Sequence, residues 1–461
     1  MAGFAKKKDR EFPEVVPVLE VLQDGDIFTK LSFLIWGVGN LARKQIIQGI
    51  LFLALEISFI CYFVFYGAHA LYQFVTLGTA TQTEVFNEAK QIYEYIPGDN
   101  SQLCLLYGVV TIFVIIGMIL VARAACRSSY YAELAIRKGK KPLTFRKTVA
   151  EFKDKRMYQV FLAFPFLGLL LFNVMPLLFM ILMAFTNYDR NHLPPKNLFD
   201  WVGFENFTRV LNAGSDLGRT FWPVLGWTIV WAIFATFLNY IFGVILAMII
   251  NRKDTKIKGF WRFILMLTIA VPQFVSLLVV NTMIQEHGAF NLILRELFGV
   301  GPLPFLTDAT WARVTVIVIN LWVGIPYTVI SVTGILNNIP TELYEAAKLD
   351  GAGIVAIFTK ITMPYLMFVM TPQLIVTFMQ NINNFNVIFL LTNGAPATDA
   401  YYRGTAGKTD LLVTWLYKLT IDNKDYNLGA VIGILTFILM ATMSLLTYRN
   451  SKSYKEEEGF S

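Results

Sequence analysis

The chain has 461 residues, of which 56% are hydrophobic and 15% charged, and its mean hydropathy is +0.54. A soluble domain of this length carries nearer about 25% charged residues, so the composition argues against a soluble enzyme and for a polytopic, all-α integral membrane protein. The net charge of +7 then marks loops on one side of a bilayer rather than a nucleic-acid surface.

Residues 1–45 are charged, and the first apolar run begins near Ile46. A cleavable signal would place its apolar core within roughly the first 15–30 residues, so the first helix is read as its own anchor. LSFLIWGVGNL (31–41) is too short to span and is expected to lie along the cytoplasmic interface. Eight spans are predicted, near 46–70, 103–122, 160–185, 224–250, 263–283, 314–335, 364–391 and 429–447, each about the length a helix needs to cross roughly 30 Å of hydrocarbon. No run of charge interrupts any of them. With both termini inside, residues 123–157, 251–262, 336–363 and the tail are cytoplasmic, and 28 of the 39 Lys and Arg lie on that side against 11 outside. RKGKKPLTFRKTVAEFKDKR (137–156) dominates this count, and basic residues near span ends set topology. The chain thus divides into a cytoplasmic segment (1–45), two accessory spans with the basic loop (46–157) and a six-span section (158–461). Cys61, Cys104 and Cys126 are read as packing residues. His69, His192 and His287 are scattered, and neither a catalytic nor a metal role is assigned to them.

The 336–363 loop is unusual. EAAKLDGAGIVAIFTKITMP (345–364) carries Glu345, Lys348, Asp350 and Lys360 between two apolar runs. Pro340 suits a first helical turn, Glu342 and Glu345 suit the positive end of that helix, and Gly351 supplies a break. Ile354, Ile357, Phe358 and Ile361 then recur at helical spacing, and Pro364 is expected to open the next span. This reads either as an amphipathic connector on headgroups or as a rigid knuckle offered to a partner.

In span seven, Gln373, Thr377, Gln380, Asn381 and Asn384 fall on one helical face. Uncharged polar groups at mid-membrane need partners. The stripe is therefore either interhelical glue or the wall of a wet cavity for a neutral, hydroxyl-rich solute. Spans five to seven carry no Lys or Arg deep inside them to meet an anion, and the one acid well inside a span, Glu56, lies in the peripheral first helix. Ion-coupled carriers usually place ionisable groups on their pathway. YYRGTAGKTD (401–410) ends like a phosphate-binding loop, but Tyr402 stands where its first glycine is needed, so ATP is not expected to bind this chain.

Glu345-Ala346-Ala347, three residues, Gly351, nine residues, Ile361 and then Met363-Pro364 resemble the EAA signature of permease subunits of bacterial ABC importers, with Met363 in place of the usual Leu. The resemblance implies a type I six-helix core. It makes the knuckle a coupling helix seated on a separate ATPase subunit, with Glu345, Ala346, Ala347, Asp350, Gly351, Ile361 and Pro364 as coupling residues. ATP and Mg would then belong to the partner, and no cofactor to this chain. From about residue 158 onward, MAFTNY (183–188), GFENFTRVL (203–211), NLWVGIPY (320–327), NNFNVIFLLTNGAP (383–396) and AGKTDLLVTWLYKL (406–419) resemble the larger permease subunit of maltose/maltodextrin importers. The sugar-contacting positions of that family fall on Gln273, Val323, Gly324, Tyr327, Thr377, Gln380, Asn381 and Asn384. Gln273 and Gln380 stand where the family's well-studied member has Ser and Phe, and Ile269 replaces a Tyr. The implied partners are a second permease, two ATP-binding subunits, an extracellular sugar-binding protein and an oligosaccharide. The short 186–222 loop, where Gram-negative members carry a folded insert, implies a Gram-positive-type cell membrane. The rival functions are an ion-driven secondary sugar carrier, expected to show internal repeats and broken spans with ion ligands, an ABC permease for another neutral sugar, and a non-transporting scaffold or sensor.

Overall fold

The computed structural model describes residues 16–450, apart from residues 89, 156 and 253. The first fifteen residues of the expected cytoplasmic segment and residues 451–461 of the tail lie outside the described residues. Among the described residues, seven helices are long and apolar enough to cross a membrane: Ile46–Thr76, Ser101–Arg137, Met157–Met183, Asp216–Asn251, Ala309–Asn338, Ile354–Leu391 and Tyr426–Arg449. An eighth candidate span is a pair, Lys258–Ala270 and Gln273–Met283, bent by 88°. The expectation of one straight helix over 263–283 is corrected at this point. Pro272 has no N–H to donate and disfavours the helical region for Val271 before it, and Val271 is extended (φ −77°, ψ 127°).

The chain forms two compact units, residues 1–182 with 191–201, and residues 183–190 with 202–461. The 157–183 helix thus groups almost wholly with the first unit, whereas the sequence placed it with the last six spans. No residue of its most apolar window is buried by the other described residues.

In the first unit, Ile46–Thr76 packs against Ser101–Arg137. The Tyr62 and Thr111 hydroxyls meet at 2.9 Å, and Gly108 leaves room for Phe74, which a Cβ there would strike at 2.3 Å. Three short helices, Val18–Asp24, Ile27–Leu31 and Val38–Ala42, pack at the end of this pair where Ile46 and Arg137 lie. Residues 31–41 do not form an interfacial helix. Trp36 is 3% exposed, its backbone N–H donates to Glu56 Oε2 at 2.7 Å, and Gly37 (φ +82°) crosses the backbone of Gly49. Glu56 lies ten residues into the first span, about 15 Å along its axis. The segment therefore dips beside that helix, and the acid inside the span has a backbone partner. Outside the spans the chain forms a hairpin of Thr83–Asn87 and Ile92–Ile96, with Phe86 opposite Tyr93.

Arg43 ties the N-terminal helices down. Its guanidinium donates to Asp26 Oδ1 (2.6 Å), Thr29 Oγ1 (2.8 Å), Ser129 Oγ (2.7 Å), the Gly39 carbonyl (2.9 Å) and Glu133 Oε2 (3.3 Å). Glu133 also accepts from Thr29 Oγ1 at 2.6 Å and from the Asp26 N–H, and pairs with Arg137.

In the second unit, the Asp216–Asn251 and Ala309–Asn338 helices form the centre. One apolar cluster includes Trp227, Trp231, Leu277, Val316, Ile388 and Leu391. A second, further along the same helices, includes Tyr240, Val244, Val329, Val332, Leu366 and Met370. Between these clusters the two helices bury the polar side chains of Thr236, Asn239 and Asn320.

Arg43→Met would leave the buried Glu133 carboxylate with only the half-exposed Arg137 as its cation, and breaking a buried pair costs about 3–5 kcal/mol. Residues 17–45 should then become cleavable by protease in the purified protein at neutral pH. Burial alone would push the Asp26 carboxyl up, but the Thr29 N–H and the Arg43 guanidinium outweigh it and hold the group below its ordinary value. Its stabilisation is therefore present above the ordinary carboxylate range and is lost as pH falls through the lowered value. Wild-type protein should expose the segment only on such acidification.

Candidate functional site

A cavity of about 580 Å³ opens in the polar layer of the second unit. Seven of the eight residues expected to touch cargo line it: Gln273, Gly324, Tyr327, Thr377, Gln380, Asn381 and Asn384. Val323 does not. It neighbours Gly324 on the helix, about 100° around the axis, and packs against the Trp227–Ile388 cluster instead. All five stripe residues of span seven, Gln373 included, face the same cavity. No Asp, Glu, Lys or Arg is among the lining residues, and nine of them carry carboxamides.

Two helix breaks shape this site. The first, at Val271–Pro272, makes Gln273 the opening residue of the Gln273–Met283 helix. The second divides span seven, expected as one helix over 364–391, into Met363–Ile382 and Phe385–Leu391. Asn384 caps the latter by accepting from the Val387 N–H at 3.2 Å, which satisfies one of the donors every helix start leaves open.

The structure separates roles within the stripe. Asn381 is 8% exposed. Its Nδ2 donates to Thr236 Oγ1 at 2.9 Å, its Oδ1 accepts from Asn384 Nδ2 at 3.4 Å, and its carbonyl accepts from Trp231 Nε1 at 3.0 Å. Much of its hydrogen-bonding capacity is committed to holding two helices together. Gln380 and Tyr327 are exposed to the cavity, and Gln273, Thr377 and Asn384 are half-buried. Gly324 has a steric reason to be glycine, because a Cβ there would come within 2.4–2.6 Å of the Asn239 carboxamide. Sequence analysis missed Thr236, Asn239, Asn320 and Ser331, which also line the cavity. Asn239 donates to the Ala235 carbonyl at 2.6 Å, while its buried Oδ1 has no partner among the described residues. A polar residue between apolar turns was the available signal.

The knuckle is a helix, Thr341–Leu349, closed by Gly351 at φ +79°. The Gly351 N–H donates to the Lys348 carbonyl (3.0 Å) and the Ala352 N–H to the Ala347 carbonyl (2.9 Å), the paired bonds of a left-handed helix stop. Pro340 sits just before the first turn, at the cap. Pro364 does not open a new span. The helix starts at Ile354 and passes through a wide turn, Phe358–Thr362, in which the Met363 N–H donates to the Phe358 carbonyl. The chain thus runs as one long span, Ile354–Leu391, and Tyr344 and Thr362 join the knuckle to it through their hydroxyls at 3.2 Å. Glu345, Ala346, Asp350, Gly351 and Pro364 are exposed, and Ala347 and Ile361 half-buried. Leu349 (89%) and Ile354 (78%) present bare apolar surface at the tip. At 407–410 the Gly407 N–H donates to Asp410 Oδ2 at 2.6 Å, so a carboxylate occupies the place where a phosphate would be cradled.

Residues 239–453 match the family of binding-protein-dependent transport system inner membrane components. The galactooligosaccharides transport system permease protein of Bacillus subtilis (strain 168) is 38% identical over 430 residues, which are 93% of this chain and 98% of that one. The chain belongs to the ABC importer permeases. The maltodextrin transport system permease protein of the same organism is 33% identical over 442 residues, 93% and 96% of the two chains. The maltose/maltodextrin permease of Escherichia coli (strain K12) is 38% identical over a shorter 256 residues, 54% of this permease and 49% of its own length. A solved bacterial ABC transporter involved in import of the acidic polysaccharide alginate superposes on 66% of this permease and 97% of its own chain, with a TM-score of 0.54 at 20% identity. That likeness shows a shared fold.

Asn381→Ala should lower the stability of the permease before it touches transport chemistry. The buried Thr236 hydroxyl loses its donor, and an unsatisfied buried group costs about 1–3 kcal/mol. Thermal unfolding of the detergent-purified protein should shift down by several degrees. An unchanged melting curve together with lost uptake would make Asn381 a cargo contact alone.

Proposed function

We propose that this chain is a pathway-forming permease subunit of an ATP-driven importer of neutral oligosaccharides, working with a second permease, two ATPase subunits and an extracellular sugar-binding protein. The observation that carries this reading is the uncharged cavity, walled by carboxamides and hydroxyls, inside a chain of the ABC importer family. Carboxamides both donate to and accept from sugar hydroxyls, while the exposed Tyr327 ring suits an apolar sugar face. An anionic cargo would be met by no lining cation. The ion-driven carrier loses its ground because the relatives are ABC permeases, even though broken spans are present.

In the proposed cycle the knuckle docks on an ATPase through Glu345, Ala346, Ala347 and Asp350. Closure of the ATPases moves it, and the unbroken 354–382 helix carries that motion to the break at Asn384. Sugar enters while the cavity faces outward and leaves on return to the inward state. ATP and loaded binding protein must therefore favour one state over the other. With the basic loop cytoplasmic, the knuckle and both termini share the side where ATP is available.

Two cargo readings stand. Maltodextrins follow from the sequence resemblance, and galactooligosaccharides are favoured by 38% identity to their permease in B. subtilis, against 33% for the maltodextrin permease. Competition of a labelled maltodextrin and a labelled galactooligosaccharide against unlabelled panels of each decides between them.

Asn384→Ala should reduce uptake affinity about ten- to a hundredfold, the equivalent of about 1–3 kcal/mol for one buried polar contact, with assembly and basal ATP hydrolysis retained. Asn384→Ser keeps a capping oxygen and separates the two roles of this residue. If it transports normally, Asn384 is a cap and not a sugar ligand.

Gly351→Val puts a β-branched residue at φ +79°, a region strongly disfavoured for such side chains. Transport should be lost because less ATPase co-purifies, with membrane insertion unchanged. Normal ATPase recovery with continued transport would end the coupling role of the knuckle.

A further inference from the structure

The 137–156 stretch has no part in the cavity or the knuckle, yet it is the most heavily charged piece of the protein. It holds nine Lys and Arg against two acids, a net charge of 9 − 2 = +7, equal to the net charge of the whole chain. Its helix, Phe145–Lys155, has eleven residues, about 16 Å in length.

Two connections fix this helix at the level where spans enter the bilayer. Gln45 Nε2 donates to the Leu143 carbonyl at 2.8 Å, and Gln48 Nε2 donates to Thr148 Oγ1 at 2.9 Å. Gln45 and Gln48 belong to the cap and first turn of the Ile46–Thr76 span. On the other side, the chain enters the Met157–Met183 span two residues after the helix ends.

The helix is built for a surface with both polar and apolar layers. Phe145 and Val149 lie one turn apart on one face, and Leu143 and Val149 are exposed. Arg146 and Lys153, seven residues apart, flank that face about a quarter-turn away, and Lys141, Arg146, Lys147 and Lys153 are all exposed. Long basic side chains beside an apolar stripe can keep their stems in the headgroup layer and their charges on phosphates.

We propose that residues 137–156 dock on the anionic phospholipid headgroups of the leaflet at which the 46–76 and 157–183 spans begin, which is the cytoplasmic leaflet by the Lys/Arg count. The occupant is lipid rather than an acidic protein because the helix is held at bilayer height by two spans and has an apolar edge beside its charges. The first accessory span thereby gains a role, since Gln45 and Gln48 at its start hold a charge-sensing strap against the membrane.

The test is hydrogen exchange, followed by mass spectrometry, on the intact transporter in nanodiscs of phosphatidylcholine alone or mixed equally with phosphatidylglycerol. Backbone amides of 145–155 should exchange about tenfold more slowly with phosphatidylglycerol, since each basic residue near an anionic surface gains on the order of a fivefold preference, spread here over docked and undocked states. High salt should abolish the difference. The quadruple variant Lys141→Gln, Arg146→Gln, Lys147→Gln, Lys153→Gln should lose it while keeping cargo-stimulated ATP hydrolysis in phosphatidylcholine. Equal exchange in the two lipids, or protection that persists in the variant, overturns the proposal. So does protection in phosphatidylcholine that disappears when the ATPase subunits are stripped, since the occupant would then be protein.

Discussion

A polar group inside hydrocarbon has to find a partner, and the second unit is organised around that requirement. Its two apolar clusters seal the 216–251 and 309–338 helices against each other on either side of one polar layer. Within that layer some side chains pair across helices, as Asn381 does with Thr236. Others face open volume, where only water or cargo can satisfy them. Both helix breaks fall at the same layer. A broken helix frees backbone groups at each new end, which is tolerable at membrane depth only where protein or a wet cavity meets them. Asn384 illustrates the economy of the arrangement, since one carboxamide caps a helix start and also borders the cavity.

The spans were legible because a run of apolar residues has few alternatives in a bilayer, and the stripe of span seven because its polar residues repeat at helical spacing. Finer features were legible only in part. Pro272 was a sufficient signal for the break in span five, but an apolar run of the right length masked it. The adjacent Asn383 and Asn384, good helix-stop and cap residues, marked the second break in the same way. TEVFN and IYEYI are short, rich in β-branched and aromatic residues and separated by only four residues, 88–91, but two five-residue runs give a weak signal beside the long apolar spans. The Arg43–Glu133 pairing joins residues 90 positions apart and leaves no local pattern to read. Val323 fails for a different reason. A positional resemblance identifies a place on a helix, and one residue of rotation decides whether it faces cargo or core.

The knuckle was the most readable element because its signals are local. A glycine at a left-handed position ends the helix, two backbone bonds close it, and the tip residues are apolar and bare. What sequence did not convey is mechanical continuity. Proline at 364 suggested a boundary, whereas the wide turn at 358–362 absorbs the irregularity and leaves one long helix from the tip toward the cavity. A joint with a boundary there would bend under load. A continuous helix moves its far end with its near end.

That continuity bears on why the cavity can be uncharged. A carrier driven by an ion gradient needs ionisable groups on its pathway, because the ion's binding is the source of its conformational bias. When the bias is applied through a helix from outside the membrane, the pathway is free to be matched to cargo alone. The lining of this cavity, carboxamide and hydroxyl without a formal charge, fits a site relieved of energy coupling. On the proposed reading the chain keeps its chemistry in two places. Recognition lies in the polar layer between the apolar clusters, coupling lies in the exposed knuckle, and the 354–382 helix is the physical link between them.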